Sequence, residues 1–173
     1  MHESQVFSDD YLPKTIIDRE NEQSAVADYL KDVLLNKSSV LYIHGYPGIG
    51  KTTIVKSVLY QFENSNEKSV TVFLSCTSLT PYLCLQEIHS KVCGQIKKKL
   101  TSQELISETI RKLLLRKFTL VVILDNFDKM ENIEQLLWSF NEMKQKIPMF
   151  GLILVSTSNL SSWIWWVRGF IQE

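Results

Sequence analysis

The sequence predicts an α/β fold, a sheet of parallel strands with helices packed on both faces. Short apolar runs at residues 40–43, 70–74, 120–124 and 152–155 alternate with longer segments whose apolar residues recur at helical spacing. A glycine-rich turn joins the first run to the helix behind it. The 173 residues are one domain's worth of chain and enough to bury a core.

The elements follow in order. The first helix is expected to open near Asp18, with Ala25, Val26, Tyr29, Leu30, Val33 and Leu34 along one face. Residues 40–43 read as a buried strand. The helix after the glycine-rich turn carries Ile54, Val55, Val58, Leu59 and Phe62 on one side, and residues 64–68 form a polar loop. Residues 70–74 read as a second strand. A helix follows Pro81 with Leu85, Ile88 and Val92 inward. Thr101-Ser-Gln-Glu104 is a capping-box pattern, and the helix it opens turns Leu105, Ile106, Ile110, Leu113 and Leu114 inward. Residues 120–124 are the most apolar strand. The next helix uses Ile133, Leu136, Leu137, Phe140 and Met143. Pro148 and Gly151 then lead into a last strand at residues 152–155. No internal repeat or low-complexity tract interrupts this pattern.

Composition narrows the function classes. Apolar residues at 45% and charged residues at 22% are ordinary for a globular domain. Lys+Arg and Asp+Glu stand at 19 each, so the chain carries no general basic footprint and any contact with nucleic acid must be local. No apolar stretch approaches a membrane span, and the N-terminal residues lack a cationic and apolar export signal, so the protein is expected inside the cell and off the membrane. Cys76, Cys84 and Cys93 are odd in number, lack metal-ligand spacing and read as reduced thiols, mostly in the core.

Gly45-Tyr-Pro-Gly-Ile-Gly-Lys-Thr52 matches the Walker A pattern in full, between a strand and a helix. Glycines let the backbone curl until successive N–H groups point at one anion, and the helix N-terminus adds its partial positive charge. Lys51 is placed to reach the outer phosphates of ATP or ADP, and the Thr52 hydroxyl to ligand Mg²⁺. Tyr46, Pro47, Gly48, Ile49, Gly50, Lys51, Thr52 and Thr53 are the candidate nucleotide-binding residues. The competing reading, a glycine-rich turn with a chance lysine, is argued against by the flanking strand and helix.

Val121-Val-Ile-Leu-Asp125 is a buried strand ending in a carboxylate, the Walker B pattern. On a parallel strand beside the P-loop strand, Asp125 would come near Thr52 and the Mg²⁺; alone it would read as a turn or cap residue. Asn126 follows, where ATPases of the AAA+ kind usually carry a glutamate that polarises the attacking water. An amide orients water through its oxygen but accepts no proton. Asp128 could substitute as a base, or simply cap the next turn. Binding with slow or absent turnover is therefore expected. Ser156-Thr-Ser-Asn159 follows the last strand, and Asn159 is the preferred γ-phosphate sensor, ahead of Thr157 and Ser158. Asp125, Asn126 and Asn159 are the candidate catalytic set.

Taken together, the motifs resemble the AAA+ replication initiators of the archaeal and eukaryotic origin-recognition and cell-division-cycle type. Tyr11-Leu-Pro13 with Asp18-Arg-Glu20 looks like their N-terminal lead-in, and Tyr42-Ile-His-Gly-Tyr-Pro-Gly-Ile-Gly-Lys-Thr52 is similar to their P-loop. Leu79-Thr-Pro-Tyr82 resembles a segment of the archaeal members, Leu124-Asp-Asn-Phe-Asp-Lys129 a family pattern centred on Asp-Glu, and Val155-Ser-Thr-Ser-Asn159 the family's sensor 1. The likeness spans residues 11–160. It implies a three-layer P-loop NTPase of AAA+ type with strand order 5-1-4-3-2, a lead-in over residues 1–19, an ATP-binding core over 20–160 and an atypical Trp-rich tail over 161–173. It implies ATP with Mg²⁺ as ligand, and Arg19 on the adenine side, against the plainer reading of Arg19 and Glu20 as a solvated first turn. Origin DNA and other initiator or helicase subunits are the implied partners. The setting would be archaeal cytoplasm beside the nucleoid, or a eukaryotic nucleus.

The sequence also departs from that family. Members continue into an arginine finger, a fifth strand, a helical lid and a winged helix. Here Ser161-Ser-Trp-Ile-Trp-Trp-Val-Arg-Gly-Phe170 does not look like them, although Arg168 falls near the finger position. A missing fifth strand would leave the P-loop strand at an edge, with Trp163, Ile164, Trp165 and Trp166 either covering it or adding an apolar patch. The chain is accordingly expected to be a truncated or degenerate copy. A signalling P-loop ATPase and a nucleotide-stabilised interaction module are the other readings. The clusters Lys97-Lys-Lys99 and Arg111-Lys112 with Arg116-Lys117 read as solvated faces.

Overall fold

A computed structural model describes residues 19–37, 40–95 and 99–157. Four strands, β1 (Val40–His44), β2 (Ser69–Ser75), β3 (Thr119–Asp125) and β4 (Phe150–Ser156), form one all-parallel sheet in the order β1-β4-β3-β2. Five helices connect and cover it: α1 (Glu20–Leu34), α2 (Lys51–Ser65), α3 (Pro81–Cys93), α4 (Ser102–Arg116) and α5 (Ile133–Lys146). A single 3-10 turn, Phe127–Lys129, follows β3. The order 1-4-3-2 is the one the resemblance implied, and among the described residues no strand lies beyond β1. None of the described helices is long and apolar enough to cross a membrane.

Side chains alternate across the sheet and build two cores. Val121, Ile123, Ile153 and Val155 point to one face, where α1 and α2 bring Val26, Leu30, Val33, Val55 and Val58 onto them. Val72, Leu74, Leu120, Val122, Leu124 and Leu154 point to the other, under α3, α4 and α5. Register keeps these rows aligned, Val122 standing between Val72 and Leu152. Each fully buried leucine or isoleucine contributes roughly 1.5–3 kcal/mol.

Local signals set most helix starts. Thr101 Oγ1 accepts from Glu104 N at 3.3 Å while Thr101 N donates to Glu104 Oε2 at 2.7 Å, so the capping box that opens α4 is present in both halves. Thr80 caps α3 through Leu83 N at 3.3 Å, with Pro81 in the first turn where its missing N–H matters least. Three expectations need correction. Ala25 is exposed, because the buried stripe of α1 runs through Val26, Tyr29, Leu30 and Val33. Leu114 is 46% exposed, because the α4 stripe passes through Thr109 and Leu113, one step round the helix. Gly151 lies inside β4 rather than ahead of it.

Gly151 also marks the closest approach of α1 to the sheet. A Cβ there would meet Val33 Cγ2 at 2.9 Å and Cγ1 at 3.3 Å. The same approach lets the buried Tyr29 hydroxyl donate to Leu152 O at 3.0 Å and accept from Leu152 N at 2.7 Å. Burial holds that hydroxyl far above the usual tyrosine range, so it stays protonated and able to donate. Gly151→Ala should destabilise the chain by ~1–3 kcal/mol through overpacking against Val33. Tyr29→Phe should cost a similar ~1–3 kcal/mol by leaving a strand amide without its partner. Urea unfolding at fixed pH measures both, and a wild-type midpoint for either variant contradicts this account of the α1–β4 contact.

Candidate functional site

The carboxyl ends of β1, β4 and β3 share one rim of the sheet, and the candidate residues gather there. β1 ends at His44, and the chain turns through Gly45 to Gly50 into α2. Gly48 and Gly50 have φ of +77° and +84°, the left-handed region that glycine enters freely. Gly50 occupies the cap position of α2 and brings no side chain to it, and the first turn holds no acidic residue. The positive end of α2 therefore opens onto the loop without a competing carboxylate. Lys51 Nζ reaches back under the loop and donates to Gly45 O at 2.8 Å and Tyr46 O at 2.9 Å. Tyr46 is 84% exposed at the tip.

Asp125 closes β3 and shares the parity of Val121 and Ile123, so it points to the face that carries α2. Thr52 Oγ1 donates to its carboxylate, 3.2 Å from Oδ1 and 3.1 Å from Oδ2. The structure thus brings Thr52 and Asp125 together, although β4 stands between β1 and β3, so the strand of Asp125 does not lie beside that of the glycine-rich loop, contrary to expectation. Burial raises the Asp125 pKa above the usual aspartate value, against the Thr52 hydroxyl, the Asn126 N–H and the charges of Lys56 and Lys51, which lower it. Lys56 was not singled out from sequence. It stands four residues after Thr52, the spacing that puts both on one side of α2.

Asn126 is half-buried, with φ 53° and ψ 42°. Asn is among the few non-glycine residues that tolerate this left-handed geometry, so the residue also serves the sharp turn from β3 into the 3-10 segment. Asp128 sits inside that segment with its side chain 6% exposed and Lys129 Nζ at 3.8 Å. Burial raises the Tyr42 hydroxyl and the Cys76 thiol above their usual ranges, and the nearby charge of Asp128 raises both further. Ser156 ends β4 fully buried and hydrogen-bonds Tyr42. Tyr42 stacks on the exposed His44 at 5.3 Å and meets Phe127 edge-on at 5.9 Å, an aromatic floor that single-residue motifs did not reveal. Asn159 and Ser158, the lead-in Tyr11-Leu-Pro13 and the Trp-rich tail lie outside the described residues.

Arg19 stands at the cap of α1 and pairs with Glu22 at 2.7 Å. Both line a cleft of about 290 Å³ whose apolar walls are Val26, Leu41, Ile49 and Ile54, with Lys51 at its phosphate-loop end. Thr53, in the first turn of α2, is half-buried. Cys76 and Cys84 are buried and Cys93 half-buried, all free thiols as expected; burial pushes Cys84 up to about 11.

The family described as "AAA domain" matches residues 35–164. Cell division control protein 18 of Schizosaccharomyces pombe is 27% identical over 161 residues, which cover 86% of this chain and 27% of that protein. ORC1-type DNA replication protein 2 of Sulfurisphaera tokodaii is 32% identical over 134 residues, covering 72% of this chain and 32% of that one. The chain therefore spans about a third or less of the length of these relatives. Among solved structures, the Aeropyrum pernix ORC2 protein in its ADPNP–ADP complexes has the same fold, with a TM-score of 0.80 at 22% identity over 96% of this chain and 50% of that one.

The raised Asp125 pKa has a consequence for stability. A carboxyl whose folded pKa lies above its unfolded value stabilises the fold most below the unfolded value, and that contribution is lost as pH rises through the folded pKa. In nucleotide-free protein, Asp125→Asn should therefore be more stable than wild type at neutral pH. The gap should close as pH falls below 3.8, the ordinary aspartate value. Thermal melts across pH read this directly, and a gap that widens in acid refutes it.

Proposed function

We propose that this chain, which belongs to the AAA domain family and whose relatives are ORC1-type and cell-division-control replication initiators, is the nucleotide-holding core of such an initiator. It binds ATP or ADP with Mg²⁺ and hydrolyses ATP slowly or not at all. The observation that carries this reading is the Thr52–Asp125 contact beside the Lys51-bridged loop. The residues fit both groups. Thr52 and Asp125 offer hard oxygen donors of the kind Mg²⁺ takes, together with phosphate oxygens. The curled backbone of residues 45–50 and the uncapped α2 N-terminus suit a polyphosphate. The apolar cleft between α1 and β1, with Arg19 at its mouth, suits a purine. When bound, Mg²⁺ neutralises charge on the outer phosphates.

Within that site Lys51 holds the outer phosphates, the backbone N–H groups of residues 48–52 wrap the inner ones, and Thr53 continues the first turn. Asp125 orients Thr52 and accepts charge but is too committed to serve as a base. Asn126 orients a water through its amide oxygen without taking its proton. Asp128, its side chain almost wholly buried with Lys129 Nζ at 3.8 Å, is given the role of holding the turn rather than that of the missing glutamate. A γ-phosphate sensor at Asn159 completes the proposal. Origin DNA and other initiator or helicase subunits are the partners proposed from kinship, and the chromosome, in archaeal cytoplasm or a eukaryotic nucleus, is the proposed setting.

The left-handed Asn126 favours one second reading, a module in which bound nucleotide is structural and turnover is absent. Titrating ATP and Mg²⁺ while following phosphate release separates the two. Lys51→Ala should weaken nucleotide binding ~10–100-fold, the worth of a hydrogen bond to a charged group. Asn126→Glu should raise phosphate release by ~10²-fold or more if the lost base is what limits turnover. Nucleotide binding indifferent to Lys51→Ala sinks the site. Brisk turnover by the unaltered chain sinks the role given to Asn126.

A further inference from the structure

Among the described strands, β2 has a neighbour on one side only. In its ladder with β3, Cys76 N donates to Asp125 O at 2.8 Å and Thr119 N to Lys68 O at 2.9 Å. The even-numbered residues of β2 therefore face β3, and the N–H and C=O groups of Thr71 and Phe73 point outward. Nothing in the strand blunts this edge. It holds no proline, and its register runs without a bulge from Ser69 opposite Thr119 to Ser75 opposite Asp125.

The edge lies in a groove. Clefts of about 330 Å³ and 380 Å³ meet over Thr71, Phe73 and Lys91, with α2 as one wall and α3 as the other. Charge is ordered along each wall. On α2, Lys56 lies over the Phe73 ring, 4.9 Å from its centroid, while Glu63 takes the hydroxyl of Thr71. Positive charge thus stands at the Phe73 end and negative at the Thr71 end, with Tyr60 between them, 61% exposed. α3 runs back against β2, so its exposed Glu87 lies nearer the Phe73 end and exposed Lys91 nearer the Thr71 end. The two walls carry the same pattern in opposite order.

A two-fold rotation perpendicular to the sheet reverses the strand and keeps each wall on its own face. It sets Lys56 against Glu63 of a second copy, and Glu87 against Lys91 of a second copy. We propose that the β2 edge is a self-association surface, on which a second copy of this chain pairs antiparallel about Val72. Thr71 then lies opposite Phe73 of the second copy, and each such pair exchanges two N–H···O=C bonds, joining two four-stranded sheets into one. The arrangement is isologous and closes as a dimer. It uses none of the phosphate-loop residues.

Sedimentation of the nucleotide-free chain over a wide concentration range tests it. Monomer and dimer should exchange with concentration, and amide hydrogen exchange at Thr71 and Phe73 should slow as the dimer forms. Thr71→Pro removes an outward N–H but no bond to β3, and should weaken the dimer by about tenfold or more. Glu63→Lys sets like charges together twice per dimer and should weaken it by about tenfold. Adding Lys56→Glu to Glu63→Lys should restore most of the loss, with circular dichroism checking the fold of each variant. A chain that stays monomeric at every concentration overturns the proposal. So does a dimer indifferent to Thr71→Pro and to the charge exchange.

Discussion

A parallel sheet has no face to leave to water, and the two central strands show how far that constraint reaches. Every residue of β3 and of β4 is buried. Helices must then cover both sides, and the chain supplies α1 and α2 for one face and α3 to α5 for the other. Where cover is tightest, at Gly151, a hydrogen atom takes the place of a side chain and Tyr29 bonds the strand backbone from above. The same constraint explains why a carboxylate can stand at the end of β3. Asp125 is 7% exposed, and burial in an apolar rim would be unfavourable without the Thr52 hydroxyl and the Asn126 N–H.

Much of this was legible in the sequence because it is written locally. A run such as residues 120–124 admits few readings other than a strand buried on both faces. The loop from Gly45 to Thr52 needs its glycines at fixed positions, and the capping box of Thr101 and Glu104 is complete within four residues. What escaped depends on neighbours far along the chain. Leu114 fits the apolar spacing of α4, yet the face that packs inward runs through Thr109 and Leu113, one step round the helix. Lys56 becomes part of the site only because β3 lies under α2. Asn126 read as a missing base, and the structure adds a conformational reason for an asparagine there.

The rim and the edge of the sheet also divide the molecule's polar groups between two tasks. At the rim, the curled loop runs into the N-terminus of α2, where no side chain caps the first amides. Along β2 the amides stay evenly spaced in a straight row. Convergent donors suit a compact anion, and a row of alternating donors and acceptors suits another extended chain. The two proposals thus assign one fold two kinds of main-chain recognition, one at the rim of the sheet and one along its β2 edge.

Lys51 adds a kinetic consequence. Its ammonium holds the carbonyls of Gly45 and Tyr46, two dipoles whose negative ends would otherwise repel an anion at the mouth of the loop. The loop therefore keeps its shape by an internal brace. An arriving phosphate has only to draw one side chain across a short distance, a rotamer exchange on the picosecond to nanosecond scale rather than a loop closure. The brace is thus one that a single side-chain rotation can release, with residues 45–50 keeping the curl that Gly48 and Gly50 allow.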